Sequence, residues 1–462
     1  MTIQQQLEID PAPVLRDFPT ALAGTRSKPD LPKFSPRPRR AAASGAGTPR
    51  TVRVALAGCG VVGGGLVRLL HESAPAIAAR FGVRFALTRV LVRDTLRERD
   101  LPLDPRLFTN DLNAFLSDDA DVVIEAVGGE EPARTIARAA LTRGSKLITA
   151  NKDLVASHGD SLSALAHEHH SSLDFGAAVG GSAPVISTLR DLVGASTPVS
   201  VRGILNGTSN YVITLIERGV SLDSALASAC ERGLAEADCA RDLDGRDAAA
   251  KLAIIAWIAF GVRPADLHIR RTSLVPGLER LVRIASITGE RVRLIAECTR
   301  LSGNRVTAAV EPVIVPAESA FARTVLEENR VDVDLGWSSP LSVSGPGAGG
   351  APTAAALLSD LLRVTPPPND RGAGVTQFLS VADPREHRWL VATQLDSEAL
   401  QRTAAAVGLG SERYLADGAN AAIITAPTSW ESVQRLIGAL GVLTETPSVA
   451  RYDVSTEREV LQ

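Results

Sequence analysis

The sequence predicts an α/β chain of several domains, led by a crossover-linked parallel sheet, and three observations carry that prediction. First, Thr51-Val-Arg-Val-Ala-Leu-Ala57 is an apolar, β-branched run that ends in Gly58-Cys-Gly-Val-Val-Gly63 and passes into a helical stretch over residues 66–71. Second, strand-like runs at residues 85–92, 121–126 and 146–150 alternate with helical stretches, the order that right-handed crossovers and a parallel sheet require. Third, from Trp389 onward the order reads strand, helix, strand, strand, helix, strand, which is that of a ferredoxin-like domain.

A chain of 462 residues is too long for one simple domain. Its 45% apolar and 22% charged residues are those of a soluble globular protein. A net charge of −3 gives no electrostatic reason to expect nucleic acid or an anionic membrane surface. No apolar run approaches the roughly 20 residues that span a bilayer. Cys59, Cys230, Cys239 and Cys298 are scattered without the spacing of a zinc site or a disulfide framework. The expected setting is the cytoplasm.

Residues 1–50 carry eight prolines and a basic stretch around Arg37, Arg39 and Arg40, so no helix gains length there and a disordered extension is expected. The segment has no apolar core for a signal peptide, and Glu8, Asp10 and Asp17 suit a transit peptide poorly.

In the next segment the glycine turn follows a strand and opens a helix, the context in which G-x-G-x-x-G binds a dinucleotide. Gly58 permits the tight turn, Gly60 admits a pyrophosphate to the backbone, Gly63 lets the helix pack, and Val61 and Val62 complete the helix start facing the phosphates. The strand over residues 85–92 ends in Arg93-Asp94. A carboxylate there holds a ribose 2′-hydroxyl and an arginine a 2′-phosphate; both are present, and Arg93 tilts the reading from NAD toward NADP. Gly128-Gly-Glu-Glu-Pro132 begins the following helix. Asn151-Lys152 falls at the carboxyl edge of a strand, where such sheets bind ligands, although a lysine at a strand end is also commonly just solvated. His167-Glu-His-His170 has the wrong offset for an H-E-x-x-H zinc motif.

Residues 173–178 read as a strand and Val179-Gly-Gly-Ser-Ala-Pro184 as a turn into a helix. A strand at residues 199–205 leads to Asn206-Gly-Thr-Ser-Asn-Tyr211, where Thr208 or Ser209 can cap a helix running to Arg218. A second helix over residues 222–232 delivers the chain to Gly233.

The segment from Gly233 to Lys251 then gathers Glu236, Asp238, Asp242, Asp244 and Asp247 before one lysine. Asp-Gly-Arg-Asp followed by an alanine-rich run predicts a helix start with acids at the positive end of the dipole, and Asp247 and Lys251 share a face four residues apart. The apolar run after Lys251 predicts a mostly buried helix. A lysine there must be paired, shifted in proton affinity or used. An ordinary i,i+4 salt bridge accounts for the pair alone; the acid-rich lead-in also suits an ammonium-binding site beside a proton donor.

Three β-type runs at residues 292–298, 306–315 and 324–333 predict an antiparallel sheet covering a substrate, with helices behind it. Ser344-Gly-Pro-Gly-Ala-Gly-Gly350 reads as a close-approach loop before a helix, and residues 366–374 as a linker.

Gly-Leu-Ala-Glu-Ala-Asp from Gly233, Asp-Leu-Asp-Gly-Arg-Asp-Ala-Ala-Ala-Lys up to Lys251, Thr-Ala-Asn-Lys up to Lys152, Gly-Gly-Glu-Glu-Pro-Ala from Gly128 and Asn-Gly-Thr-Ser-Asn-Tyr from Asn206 together resemble the homoserine dehydrogenase family. The resemblance runs in register over roughly residues 52–362. It implies interconversion of L-homoserine and L-aspartate 4-semialdehyde with NADP or NAD, in threonine and methionine biosynthesis. Lys251 would move the proton, Lys152 would assist at the same oxygen and contact nicotinamide, and Asp242 would orient the lysine or a water. Glu236 and Asp247 would grip the substrate ammonium. Gly233 and Gly349 would lie against the cofactor with Gly128.

The resemblance further implies a monovalent cation held by the backbone carbonyls of Val179, Gly181 and Ala183, although Gly176 stands where the family supplies a glutamate. It also implies a homodimer or higher homo-oligomer, and an amino-acid-sensing ACT-like C-terminal domain in which Gln394-Leu-Asp-Ser-Glu replaces the usual effector turn. The expected division is an extension (1–50), a Rossmann domain (51–178, completed by 340–365), a substrate domain (179–339), a linker (366–387) and the ACT-like domain (388–462). A dehydrogenase for another small amino acid and a non-catalytic nucleotide-binding regulator are the alternatives.

Overall fold

The structure is a computed structural model that describes residues 49–194, 196–234, 240–275, 277–302, 305–337, 340–347, 349–365, 386–417, 420–443 and 447–451. All but the last two residues of the expected N-terminal extension fall outside that range. The chain divides into two compact units, residues 1–376 and 377–462.

The first unit begins with β1 (Arg50–Ala57), α1 (Val61–Phe81), β2 (Val83–Leu91), β3 (Phe108–Thr109), α2 (Leu112–Leu116), β4 (Val122–Glu125), α3 (Ala133–Thr142), β5 (Lys146–Thr149), α4 (Lys152–Glu168), β6 (Leu173–Asp174) and α5 (Val185–Val193). The six strands form one sheet in the order β3-β2-β1-β4-β5-β6, every pairing parallel. Alternation along β1 divides its side chains between two cores. Val52, Val54 and Leu56 pack with Leu66 and Leu70 of α1, whereas Ala55 and Ala57 face Ile136 and Leu141 of α3. From β1 the chain builds outward through β2 and β3, then returns to place β4 on the other side of β1. The carboxyl ends of β1 and β4 are therefore the point where strand order reverses and such sheets open a crevice.

The remainder of the unit comprises β7 (Ser200–Ile204), α6 (Gly207–Glu217), α7 (Leu222–Glu231), α8 (Ala240–Leu243), α9 (Arg246–Phe260), β8 (Ile269–Arg271), α10 (Leu278–Ile287), β9 (Arg291–Leu301), β10 (Arg305–Val315), α11 (Ala320–Arg323), β11 (Glu328–Asp334), β12 (Leu341–Pro346) and α12 (Gly350–Val364). A second sheet runs β12-β11-β7-β9-β10-β8. It is mixed rather than antiparallel, because β8 pairs parallel to β10. α9 is buried over most of its circumference, Lys251 included, as the apolar run predicts.

Several local expectations are corrected. Residues 173–178 do not continue as a strand, because the Asp174 carboxylate accepts the N–H groups of Phe175 (2.8 Å) and Gly176 (3.4 Å) and turns the chain into a short 3-10 segment. The cap of α6 is Asn206, whose side chain accepts the Ser209 N–H, so Thr208 and Ser209 lie inside the first turn. Residues 344–346, read as the start of a loop, are instead the end of β12, which pairs with β11. α12 then returns to the first sheet, where Ala354, Leu357 and Leu361 join the core of β1 and α1.

The second unit holds β13 (Trp389–Thr393), α13 (Ser397–Ala406), β14 (Ser411–Asp417), β15 (Asn420–Thr425), α14 (Trp430–Gly441) and β16 (Ser448–Arg451), with an antiparallel sheet in the order β14-β15-β13-β16. Val391, Leu400, Ile423, Val433 and Leu436 form its core. Residues 366–385 of the expected linker lie outside the described range, and His387 already pairs with Thr428 in this unit. No described helix is long and apolar enough to cross a membrane.

Because Leu357 is fully buried between α12 and the first sheet, Leu357→Ala should cost about 2–5 kcal/mol of stability, read by urea unfolding. A loss below about 0.5 kcal/mol would mean that α12 does not belong to this core.

Candidate active site

The crevice at the strand-order reversal is a cleft of about 380 Å³ whose walls come from both sheets' connections. One wall is the glycine turn. Gly58 sits at φ +93°, and a Cβ there would lie 2.4 Å from the carbonyl oxygen of Ala126, so the β1 and β4 turns touch through backbone. A Cβ on Gly63 would lie 2.1 Å from the Gly58 carbonyl. Gly60, by contrast, faces open space at the start of α1. An open backbone at a helix N-terminus, with tight glycines on either side, fits a dinucleotide pyrophosphate.

Beneath the β4 turn lies Glu125, fully buried, which sequence reasoning missed. Its Oε1 accepts the N–H groups of Val127 (2.8 Å) and Gly128 (3.3 Å), and its Oε2 the Thr149 hydroxyl. Burial pushes its carboxyl above the usual range, and these donors act against the shift. An acid closing an otherwise apolar strand run was its signal in the sequence. Asn151 extends the network, donating to the Gly129 carbonyl (2.6 Å) and capping α4 at the Leu154 N–H (3.1 Å).

The opposite wall is charged. Asp247, in the first turn of α9, lies 3.0 Å from Lys251 Nζ through Oδ2 and 3.2 Å from Lys152 Nζ through Oδ1. Lys251, only 8% exposed, also donates to the Leu205 carbonyl at 2.8 Å, an acceptor it shares with Asn329. Burial acts to raise the Asp247 carboxyl, but Lys251 and then Lys152 outweigh it and hold the group below the ordinary carboxylate range. Asp242, on α8, is pushed up by burial despite a hydrogen bond from Asn206 (2.7 Å), and Asp247 adds to the rise.

Lys152, Asp242, Asp247, Lys251, Val62 and Gly128 all line this cleft, so residues as far apart in the chain as Val62 and Lys251 meet there. Other expected residues stand differently. Glu236 lies outside the described residues. Gly233 is exposed at the end of α7, and its neighbour Leu234 lines the cleft instead. Gly349 caps α12, while Gly347 and Thr353 reach the cleft. Arg93 is exposed beyond β2, and Val61 is exposed in the first turn of α1. The second sheet does not cover the cleft: among the described residues, none of β7 to β12 lines it, and the sheet backs the helices instead.

At the expected cation site, the Ala183 carbonyl already accepts the Val185 N–H at 2.8 Å. A Cβ on Gly176 would lie 2.4 Å from Asp360 Oδ1, so the Asp360 carboxylate fills the space before this glycine. Its Oδ2 accepts the Ala177 N–H (2.9 Å) and its Oδ1 pairs with Arg363. With both oxygens engaged, the residues offer no carboxylate to a cation at Val179, Gly181 and Ala183, and no step is assigned to one.

A parallel sheet that opens its reversal point to a dinucleotide, facing two lysines on one carboxylate, is the framework of an NAD(P)-dependent oxidoreductase. Residues 58–175 match the family described as the NAD binding domain of homoserine dehydrogenase, and residues 184–362 match the family described as homoserine dehydrogenase. The homoserine dehydrogenase of Mycobacterium tuberculosis is 37% identical over 322 residues, covering 68% of this chain and 73% of that protein. That of Corynebacterium glutamicum is 34% identical over 339 residues, covering 72% and 74%. The crystal structure of a homoserine dehydrogenase from Thiobacillus denitrificans superposes with a TM-score of 0.64 at 28% identity, covering 87% of this chain and 98% of that one. The chain belongs to the homoserine dehydrogenase family, and the alternatives of another amino-acid dehydrogenase or a non-catalytic regulator fall away.

Burial, and next the neighbouring Asp174, raise the Asp360 carboxyl to about 6. The folded state therefore holds a proton that the unfolded chain releases between about pH 4 and 6, so this group's contribution to stability falls as pH rises through that window. Asp360→Asn should remove that part of the slope in unfolding midpoints measured from pH 4 to 7. A slope equal to that of the parent would contradict it.

Proposed function

We propose that Lys251 transfers the proton in the interconversion of L-homoserine and L-aspartate 4-semialdehyde, with Lys152 polarising the same substrate oxygen. The observation that carries this reading is the convergence of both lysines on Asp247 inside the cleft beside the glycine turn. A bound NAD(P) supplies or accepts the hydride. Lys251, fixed by the Leu205 carbonyl and Asp247, takes the hydroxyl proton in oxidation as a neutral amine and returns it in reduction as an ammonium. Asp247, whose oxygens are engaged by the lysines, anchors them, while Glu236 takes the substrate ammonium. Asp242 adds negative charge on that side of the cleft. Gly58, Gly60, Gly63 and Gly128 bind the dinucleotide through backbone.

NADP is the preferred cofactor in this reading. The Asp94 carboxylate turns back to accept the Leu96 N–H at 2.9 Å, while Arg93 is exposed beside it. Arg99 adds a second guanidinium at this turn, its Nη2 donating to the Asp94 carbonyl at 2.9 Å, and two arginines there suit a 2′-phosphate. The strand order β14-β15-β13-β16, joined by two helices, supports an ACT-like reading of residues 388–462. Residues 51–178 with 340–365 serve as the nucleotide domain and 179–339 as the substrate domain. A homodimer or higher homo-oligomer, acting in threonine and methionine biosynthesis, completes the proposal.

Lys251→Ala should lower kcat for homoserine by about 10²–10⁴-fold while leaving NADP affinity near that of the parent, measured by reduced-cofactor absorbance and fluorescence titration; undiminished turnover would remove Lys251 from the mechanism. Arg93→Ala should raise KM for NADP about tenfold, the scale of one lost charged hydrogen bond, and leave KM for NAD unchanged. Equal effects on both cofactors would refute the 2′-phosphate assignment.

A further inference from the structure

We infer that Asn206 is a positioning residue of the reaction centre: its side-chain amide joins Asp242 to Asp247 and so sets where Asp247 holds the two lysines. The inference rests on the reading of Lys251 as the proton-transferring group and adds to it a residue from a different element, the corner between β7 and α6.

Asn206 is 4% exposed and its side chain is committed on both sides. Nδ2 donates one hydrogen to Asp242 Oδ1 at 2.7 Å and the other to Asp247 Oδ2 at 2.8 Å. Oδ1 accepts the Ser209 N–H at 2.7 Å, which caps α6. These partners fix the orientation of the amide. Rotated by half a turn, it would aim its carbonyl at two carboxylates and its NH₂ at a backbone N–H. The preceding residue completes the corner, because the Leu205 carbonyl accepts from Lys251 Nζ. The corner therefore touches the lysine directly and through Asp247.

The local charges explain why an amide is needed. Asp242 from α8 and Asp247 from α9 repel one another, and Lys251 from α9 and Lys152 from α4 attract both. A buried carboxylate pair needs a shared donor to remain side by side. Asparagine supplies two hydrogens from one nitrogen and still offers an oxygen to the cap. Aspartate keeps the cap and donates nothing. Serine also caps, but has one hydrogen to share.

That difference separates positioning from mere helix capping. Asn206→Asp, Asn206→Ser and Lys251→Ala of the full chain are compared by the pH dependence of kcat and kcat/KM for homoserine, with NADP affinity and near-UV circular dichroism reporting the fold. If Asn206 positions the carboxylates, Asn206→Ser lowers kcat about 10- to 100-fold. The acid limb of its profile then moves up by about one unit, the shift carried by a lost charge-assisted hydrogen bond. Asn206→Asp, which adds a third carboxylate, falls at least as far. If both cap-retaining variants turn over like the parent with an unmoved acid limb, while Lys251→Ala is inactive, the inference is overturned and the Lys251 reading stands. Turnover by Lys251→Ala overturns the Lys251 reading instead, and the inference with it. Should Asn206→Asp fail to fold, Asn206→Ser alone decides.

Discussion

The arrangement of this molecule depends on one carboxylate that neutralises two ammonium groups, one nearly buried and one partly exposed. Lys251 is nearly buried, and Lys152 stands beside it on the same cleft wall. Burying an ammonium without a partner costs several kcal/mol, and two would also repel. Asp247 meets both, one through each oxygen. Its carboxyl is held below the ordinary range by the cations it serves, against the effect of burial. The lysines can therefore stay close together on one wall of the cleft.

That pairing also resolves a conflict with local preference. Lys152 occupies the first position of α4, where the partial positive charge of a helix N-terminus disfavours a cation. Asp247 occupies the first turn of α9, where the same effect favours an anion. Bringing the two helix starts together offsets the unfavourable placement with the favourable one. A rule broken locally and repaired across the fold is what a functional site predicts.

The cofactor wall uses contact rather than charge. The Gly58 turn lies against Ala126, and Gly350 packs against Val61, at distances that leave no room for a Cβ. On the far side of the same wall, Asp360 and Asp174 hold the turn at residues 175–177 through its N–H groups, with Arg190 and Arg363 as their counterions. The opening of the cleft is thus framed by backbone whose position is set by buried carboxylates: Glu125 on one edge, Asp360 and Asp174 on the other.

What the sequence determined by itself is local and periodic: the strand–glycine–helix entry, the alternation that makes a parallel sheet, the buried helix bearing Lys251, and the βαββαβ order of the second unit. These follow from the spacing of apolar residues and from turn chemistry, which act over a few positions. Resemblance in several short motifs carried the reaction. The tertiary structure decided which side chains answer one another: that Asp247 is spent on two lysines, that Asn206 caps a helix and bridges two acids, that Gly347 rather than Gly349 reaches the cleft, and that Asp360 fills the space at Gly176. Such pairings depend on distances between residues scores of positions apart, and no periodicity encodes them. They exist only once two sheets have fixed where helix starts and turns meet.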